Sequence, residues 1–198
     1  MESQGKAGPT GFLPRLGPEA YRGRAVVFWT HTVVRRSTGW LNAGFHAAFR
    51  ESMLHAAVRE QLICPIYTLM PDHLHLIWMG VADGSDQRLA TRFLRGDLVP
   101  CLKPYGWQHQ PHDHVLREKG RMEKAFAETV QYIAENPVRA RLTDDAQSWP
   151  YTGCVVPGYP DLHPRKADFW DKFWRLYNAA IAQGTLGKLP VAGHAPAV

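Results

Sequence analysis

The stretch Ile63-Cys-Pro-Ile-Tyr-Thr-Leu-Met-Pro-Asp-His-Leu-His-Leu-Ile-Trp-Met-Gly-Val81 decides the fold. Two apolar runs, 63–69 and 73–81, flank Met70-Pro71-Asp72, a turn-forming triplet, so the runs pair as a β-hairpin. Upstream, Ala25-Val-Val-Phe-Trp-Thr-His-Thr-Val-Val34 is dense in β-branched and aromatic residues and reads as a strand. Between that strand and the hairpin, Phe45, Phe49, Met53 and Ala57 recur every fourth position, which predicts a helix from Asn42 to about Leu62. Downstream come a second helix from Ser85 to about Leu102, a short strand from His114 to Glu118, and a third helix from Arg121 to Asn136 that Pro137 terminates. An aromatic-rich helix from Phe169 to Ala182 follows. This order predicts an α+β domain: a ferredoxin-like split βαβ antiparallel sheet with helices on one face, plus a C-terminal helical extension.

Working outward, the 198 residues fit one domain with extensions and exclude a large multidomain enzyme. Residues 1–22, with four Gly and three Pro, read as a flexible leader and 184–198 as a similar tail. The domain is expected over 23–150, with 151–183 as the extension that carries the last helix. No run approaches the roughly 18 apolar residues of a membrane span, and the N-terminus lacks a secretory apolar core. The expectation is a cytoplasmic protein with no membrane partner. Cys64, Cys101 and Cys154 are odd in number and form no Cys-x-x-Cys, so a disulfide framework and a cysteine zinc site are both unsupported. All three are expected to be small buried hydrophobes. The net charge of +5 is compatible with a polyanionic partner.

The chemistry concentrates in two segments. Strand side chains alternate, so His73 and His75 share a face with Ile77 and Met79, while Leu74, Leu76 and Trp78 cover the other. Two imidazoles so placed can grip one divalent metal, and on a solvated strand they would be ordinary polar residues. In the third helix Met122, Phe126, Val130 and Ile133 form the core stripe, and Tyr132 and Asn136, four apart, lie along its flank. The alternative for that pair is a half-buried packing tyrosine and an asparagine that ends the helix. Arg88, Arg92 and Arg95 fall at i, i+4 and i+7, opposite Leu89, Phe93 and Leu94, a basic stripe for DNA phosphates or a merely solvated face. Arg35, Arg36, Lys119, Arg139 and Arg141 stand at element ends where a loop could meet the DNA backbone. Tyr105 and Trp107 could stack on unpaired bases or anchor a loop. His112 and His114 are placed near the site without a role.

Met70-Pro-Asp-His-Leu-His-Leu76, followed by Tyr132-Ile-Ala-Glu-Asn-Pro-Val-Arg-Ala140, resembles the single-tyrosine HUH transposases of the insertion-sequence type, and most closely the REP-associated tyrosine transposases. Asp113-His-Val-Leu-Arg117 and Ser148-Trp-Pro-Tyr151 are further matching patches, and the likeness runs from about Val26 to Trp149. Relatives commonly carry Gly where this chain has Arg141, which implies a different helix exit here or mild strain.

The resemblance implies that Tyr132 is the nucleophile and that His73, His75 and Asn136 ligate Mg²⁺ or Mn²⁺. It implies nicking and rejoining of single-stranded DNA through a 5′-phosphotyrosine, on palindromic repeats that form hairpins, by a monomer or homodimer. Two other readings stay open: a non-catalytic nucleic-acid-binding regulator on the same fold, and a metal-dependent hydrolase that uses the histidine pair without a covalent tyrosine.

Overall fold

A strand that is apolar on both faces needs cover on both, and the hairpin meets that demand at the centre of the sheet. The computed structural model describes residues 16–116 and 122–187. Its strands are β1 (Val26–Thr32), β2 (Leu62–Leu69), β3 (His73–Gly80), β4 (His112–Val115) and β5 (Thr152–Val155). Its helices are α1 (Ala43–Glu60), α2 (Gln87–Asp97), α3 (Val99–Leu102), α4 (Met122–Arg139) and α5 (Phe169–Gln183). The sheet order is β4-β1-β3-β2-β5 with every neighbouring pair antiparallel, so the α+β split-βαβ sheet stands, with a fifth strand added at the β2 edge.

Helices on one face only is corrected. Leu74, Leu76 and Trp78 of β3 join a core with Phe45, Phe49 and Met53 of α1 and Ala90 and Leu94 of α2. Ile77 and Met79, on the other face, join a second core with Phe126 and Ile133 of α4 and Phe169, Phe173 and Tyr177 of α5. The α5 helix is therefore a structural layer, because its aromatic stripe closes that face together with α4.

The expected domain limits shift for the same reason. Segment 151–183 supplies β5 and the closing helix, so the sheet does not stop at 150. Ala20 and Tyr21, assigned to the leader, are buried, and Leu186, assigned to the tail, packs in the second core. Residues 1–15 of the leader and 188–198 of the tail lie outside the described residues, as do Arg117, Glu118, Lys119 and the side chain of Met122.

Local chemistry sets the element ends. Asn42 caps α1 by accepting the Phe45 N–H at 2.9 Å. Pro100 divides the expected second helix into α2 and α3. Pro137, by contrast, does not end α4, which continues to Arg139. Proline removes only its own N–H near the helix end, and bonds from Ala140 N to Asn136 O and from Leu142 N to Pro137 O, both 2.9 Å, close the turns beyond it. Arg141 then leaves the helix at φ 57°, the left-handed conformation that a glycine would take without strain. Cys64 and Cys154 are buried as expected, whereas Cys101 is exposed.

Within β2 the pleat changes parity. Leu62 and Cys64 face the first core, and so do Tyr67 and Leu69, while Ile66 faces the second. The irregularity falls between Ile63 and Tyr67, around Pro65, which has no N–H for a ladder. It brings Thr68 opposite His75 and Thr152, in one row across the sheet.

Gly80 permits the closest backbone approach: a Cβ there would lie 1.8 Å from the Gly23 carbonyl oxygen. Gly80→Ala is expected to lower unfolding stability by about 3 kcal/mol through overpacking, read as a fall in the urea midpoint at constant m.

Candidate active site

The histidine pair is held from behind. His73 Nδ1 donates to Asp72 Oδ1 at 2.5 Å, which leaves the Nε2 lone pair pointing outward. Asp72 Oδ2 in turn accepts from Arg36 Nη1 at 2.7 Å. Burial raises the Asp72 carboxyl, but the hydrogen bonds from His73 and Arg36 outweigh it and hold the group below the ordinary carboxylate range. His75 Nδ1 lies 2.9 Å from Thr30 Oγ1, its cross-strand partner on β1. The two Nε2 atoms converge at 3.0 Å. That is the separation of two adjacent ligands around an octahedral cation at roughly 2.1 Å.

His75 is buried, and burial, followed by the neighbouring His73, lowers its pKa to about 3, so it is a neutral imidazole at physiological pH. His46, on α1, is held at about 4 by burial and then by Arg50. In the unfolded chain both would titrate near 6.5, so below that pH the unfolded state binds protons that the native state refuses. Stability is therefore expected to fall as pH drops from 6.5 towards 3. The His75 share is at most about 1.4 kcal/mol per pH unit, with a smaller, solvent-screened share from His46. Urea midpoints measured across that range check it.

The α4 helix crosses β2 and β3 on the same face and delivers Tyr132 to the pair. The Tyr132 ring centroid is 5.5 Å from that of His75 and 6.0 Å from that of Phe28, and the residue is 38% exposed, so the phenol is anchored yet accessible. Arg139 places its guanidinium carbon 5.4 Å from the same ring centroid. A line of hydrogen bonds along α4 supports it: Glu135 accepts from Gln131 at 2.8 Å and from Arg139 at 3.1 Å. Asn136 donates its amide N–H to the Tyr132 carbonyl at 2.7 Å. No described residue donates to its Oδ1, one helical turn from the tyrosine.

Of the expected site residues, then, the fold gathers His73, His75, Tyr132 and Arg139 in a single chain, with Asn136 one turn on. The sequence reading gave no role to Asp72, Thr30 or Phe28. Asp72 stood in the quoted motif directly before His73, and Thr30 was identifiable only through strand register. Arg36 serves as the clamp on Asp72, and Arg35, at φ 56°, is exposed beside it. His112 sits in the row of Thr30 and His75 and adds to the charge that depresses His75.

The structure does not bring the basic stripe to this place. The α2 helix belongs to the opposite layer, and its inward face is Gln87, Ala90, Thr91 and Leu94, while Leu89 is 43% exposed. Arg95 is engaged by the carbonyls of Gln108 and His109. Trp107 donates to Arg95 O at 3.1 Å and packs with Tyr105 against the first core, so both act as loop anchors. Lys119 lies outside the described residues.

The site and sheet define an α+β domain that presents a paired histidine and a tyrosine on one face. No family model matches the chain. It is 24% identical, over 143 residues, to a curated protein of Haemophilus influenzae provisionally described as a REP-associated tyrosine transposase; the match spans 64% of this chain and 76% of the relative. A solved structure, described as the REP-associated tyrosine transposase bound to a REP hairpin, superposes with a TM-score of 0.59 at 22% identity, covering 72% of this chain and 82% of that one. The resemblance read from the motifs is thus borne out by a curated relative, and the fold by a solved structure. Among the described residues, no helix is long and apolar enough to cross a membrane.

Proposed function

We propose that the protein is a cytoplasmic transposase that nicks and rejoins single-stranded DNA at hairpin-forming palindromic repeats. The single observation that carries this is the accessible Tyr132 ring 5.5 Å from that of a buried, neutral histidine whose partner imidazole converges on it. Tyr132 Oη attacks the scissile phosphorus, the bond from phosphorus to O3′ breaks, the phenolic proton passes to solvent and the leaving O3′ takes one up. The product is a 5′-phosphotyrosine and a free 3′-OH. Since the phosphoester stays in the covalent link, a later attack by another 3′-OH reseals the strand without ATP.

His73, His75 and the Asn136 amide oxygen are the residues that would hold Mg²⁺ or Mn²⁺. The histidine pair supports this, because both Nδ1 atoms are already engaged and the two Nε2 atoms lie 3.0 Å apart. When bound, such a cation polarises the phosphate and offsets its developing charge. Arg139 adds a cation over the face of the Tyr132 ring, and Phe28 meets that ring edge-on.

The test is to incubate the protein with an oligonucleotide hairpin carrying a single-stranded flank, labelled at one end. A denaturation-resistant adduct that retains the 3′ label and loses the 5′ label is expected. No adduct over a panel of flanked hairpins with Mg²⁺ or Mn²⁺ would refute the covalent reading.

Asn136 supplies a finer check. Asn136→Asp adds a negative charge at the cation, so it is expected to lower the Mg²⁺ or Mn²⁺ concentration for half-maximal cleavage while slowing the maximal rate. Asn136→Ala should raise that concentration roughly tenfold, with partial rescue by high Mn²⁺. Superimposable metal titrations for the three forms would remove Asn136 from the ligand set.

A further inference from the structure

A second polar centre lies at the β5 edge, outside the histidine–tyrosine site. Trp149 donates its indole N–H to Leu69 O at 2.9 Å, and Leu69 N donates to Tyr151 O at 3.0 Å, so Trp149-Pro150-Tyr151 is pinned to the end of β2. The two rings stack edge to face at 5.4 Å, and Tyr151 meets His46 at 5.5 Å. Arg50 donates to Tyr67 Oη at 2.9 Å, and His46 Nε2 is 2.9 Å from the same oxygen. Burial pushes the Tyr67 phenol up to about 12, so it stays protonated and cannot neutralise Arg50. Gly153 makes room for this arrangement: a Cβ there would lie 2.5 Å from Tyr67 Oη and 3.2 Å from Arg50 Nη1.

Arg165 closes the other side. Its guanidinium donates to the Trp149 carbonyl, and its buried Nε has no hydrogen-bond partner. Its backbone N–H donates to His163 Nδ1 at 3.2 Å, while His163 Nε2 faces Thr152 O at 3.2 Å, so that ring is the neutral Nε2–H tautomer. Among the described residues, neither Arg50 nor Arg165 is paired with a carboxylate. Two half-buried cations held by hydrogen bonds, with two half-buried aromatic rings between them, match the backbone and bases of an unpaired nucleic-acid strand.

Position gives this a use. Thr152, next to Tyr151, shares a row with Thr68 and His75, two strand spacings away, or about 10 Å, while Tyr67 and Tyr151 pack on the first-core side with α1, so a strand that reaches this cluster from Tyr132 passes round the β5 edge. We propose that Arg50, Arg165, Trp149 and Tyr151 form a second DNA contact that holds the unpaired nucleotides flanking the nicked phosphate. This rests on the DNA-nicking reading of the first site. The arginines take phosphates and the rings stack on bases, so the contact sets where along the strand Tyr132 meets its phosphorus.

The experiment uses the full chain carrying Tyr132→Phe, so that binding is read without cleavage. The probe is a fluorescent hairpin with a single-stranded flank, compared with the same hairpin trimmed of its flank. Arg50→Gln with Arg165→Gln is expected to weaken binding to the flanked probe at least tenfold and to reduce the log–log salt slope by roughly 1.4, at about 0.7 per phosphate on a single strand. Binding to the trimmed probe should change less than threefold.

An unchanged slope on the flanked probe overturns the proposal, as does an equal loss on both probes, which would mark a duplex contact. Should the double variant fold poorly, photocrosslinking the unsubstituted chain to a flank containing 5-iodouracil decides: crosslinks at Trp149 or Tyr151 support the contact, and crosslinks confined to other residues overturn it. Loss of flank affinity without any covalent adduct from the wild-type chain would refute nicking and leave this contact standing. An adduct with unchanged flank affinity would do the reverse.

Discussion

Tyr132→Phe is expected to abolish adduct formation and strand cleavage, with a fall in rate of at least about 10³-fold, equivalent to about 4 kcal/mol of transition-state stabilisation. The substitution removes one atom, the attacking oxygen. The ring contacts with His75 and Phe28 and the stacking of Arg139 do not involve that oxygen, so the fold and DNA affinity should be retained, with a stability change within about 0.5 kcal/mol. Single-turnover cleavage beside a thermal melt and a binding isotherm separates the two effects. Nicking at the wild-type rate would show that the nucleophile lies elsewhere, and a lowered melting temperature would show that the hydroxyl has a structural bond.

The second large effect is expected at the histidines. Replacing both His73 and His75 with Ala should remove Mg²⁺- or Mn²⁺-dependent cleavage, again by about 10³-fold or more, while affinity for the flanked hairpin changes little. The reasoning is geometric: the two Nε2 atoms 3.0 Å apart are the outward-facing donors, and everything behind them serves to aim them. Asp72→Asn provides the graded companion. An amide cannot accept as strongly from His73 Nδ1 or balance Arg36, so a loss of about 10- to 100-fold in activity or metal affinity is expected, with the site still assembled. Cleavage by the double alanine form that continues in excess chelator would take the cation out of the mechanism. An Asp72→Asn form equal to wild type would show that ring orientation is set by packing alone.

The basic stripe of α2 shows how a correct local reading can mislead at the next level. Arg88, Arg92 and Arg95 do follow helical spacing, yet the helix that carries them lies in the layer opposite His75, and Arg95 is occupied by the carbonyls of Gln108 and His109. The motif Trp149-Pro-Tyr151, by comparison, was visible in the chain but had no assignable partner. Arg50, His46 and Arg165 meet it only through the β2–β5 pairing and the approach of α1.

What the sequence determined by itself is what repeats within a segment. Period two places His73 and His75 on one face of β3, period four places Phe45, Phe49 and Met53 on the inner face of α1, and the Met70-Pro71-Asp72 turn closes the hairpin. These follow from bonds made inside each element or to its immediate neighbour. Even the two-layer arrangement had a trace there, since β3 is apolar on both faces and each face needs a helix. The tertiary structure alone decided which helix covers which face, that the pleat of β2 changes parity around Pro65, and that Tyr132 comes to rest beside His75. Those outcomes depend on where each apolar stripe finds unburied area once the chain has crossed the sheet, a balance over contacts distant in sequence that no local period encodes.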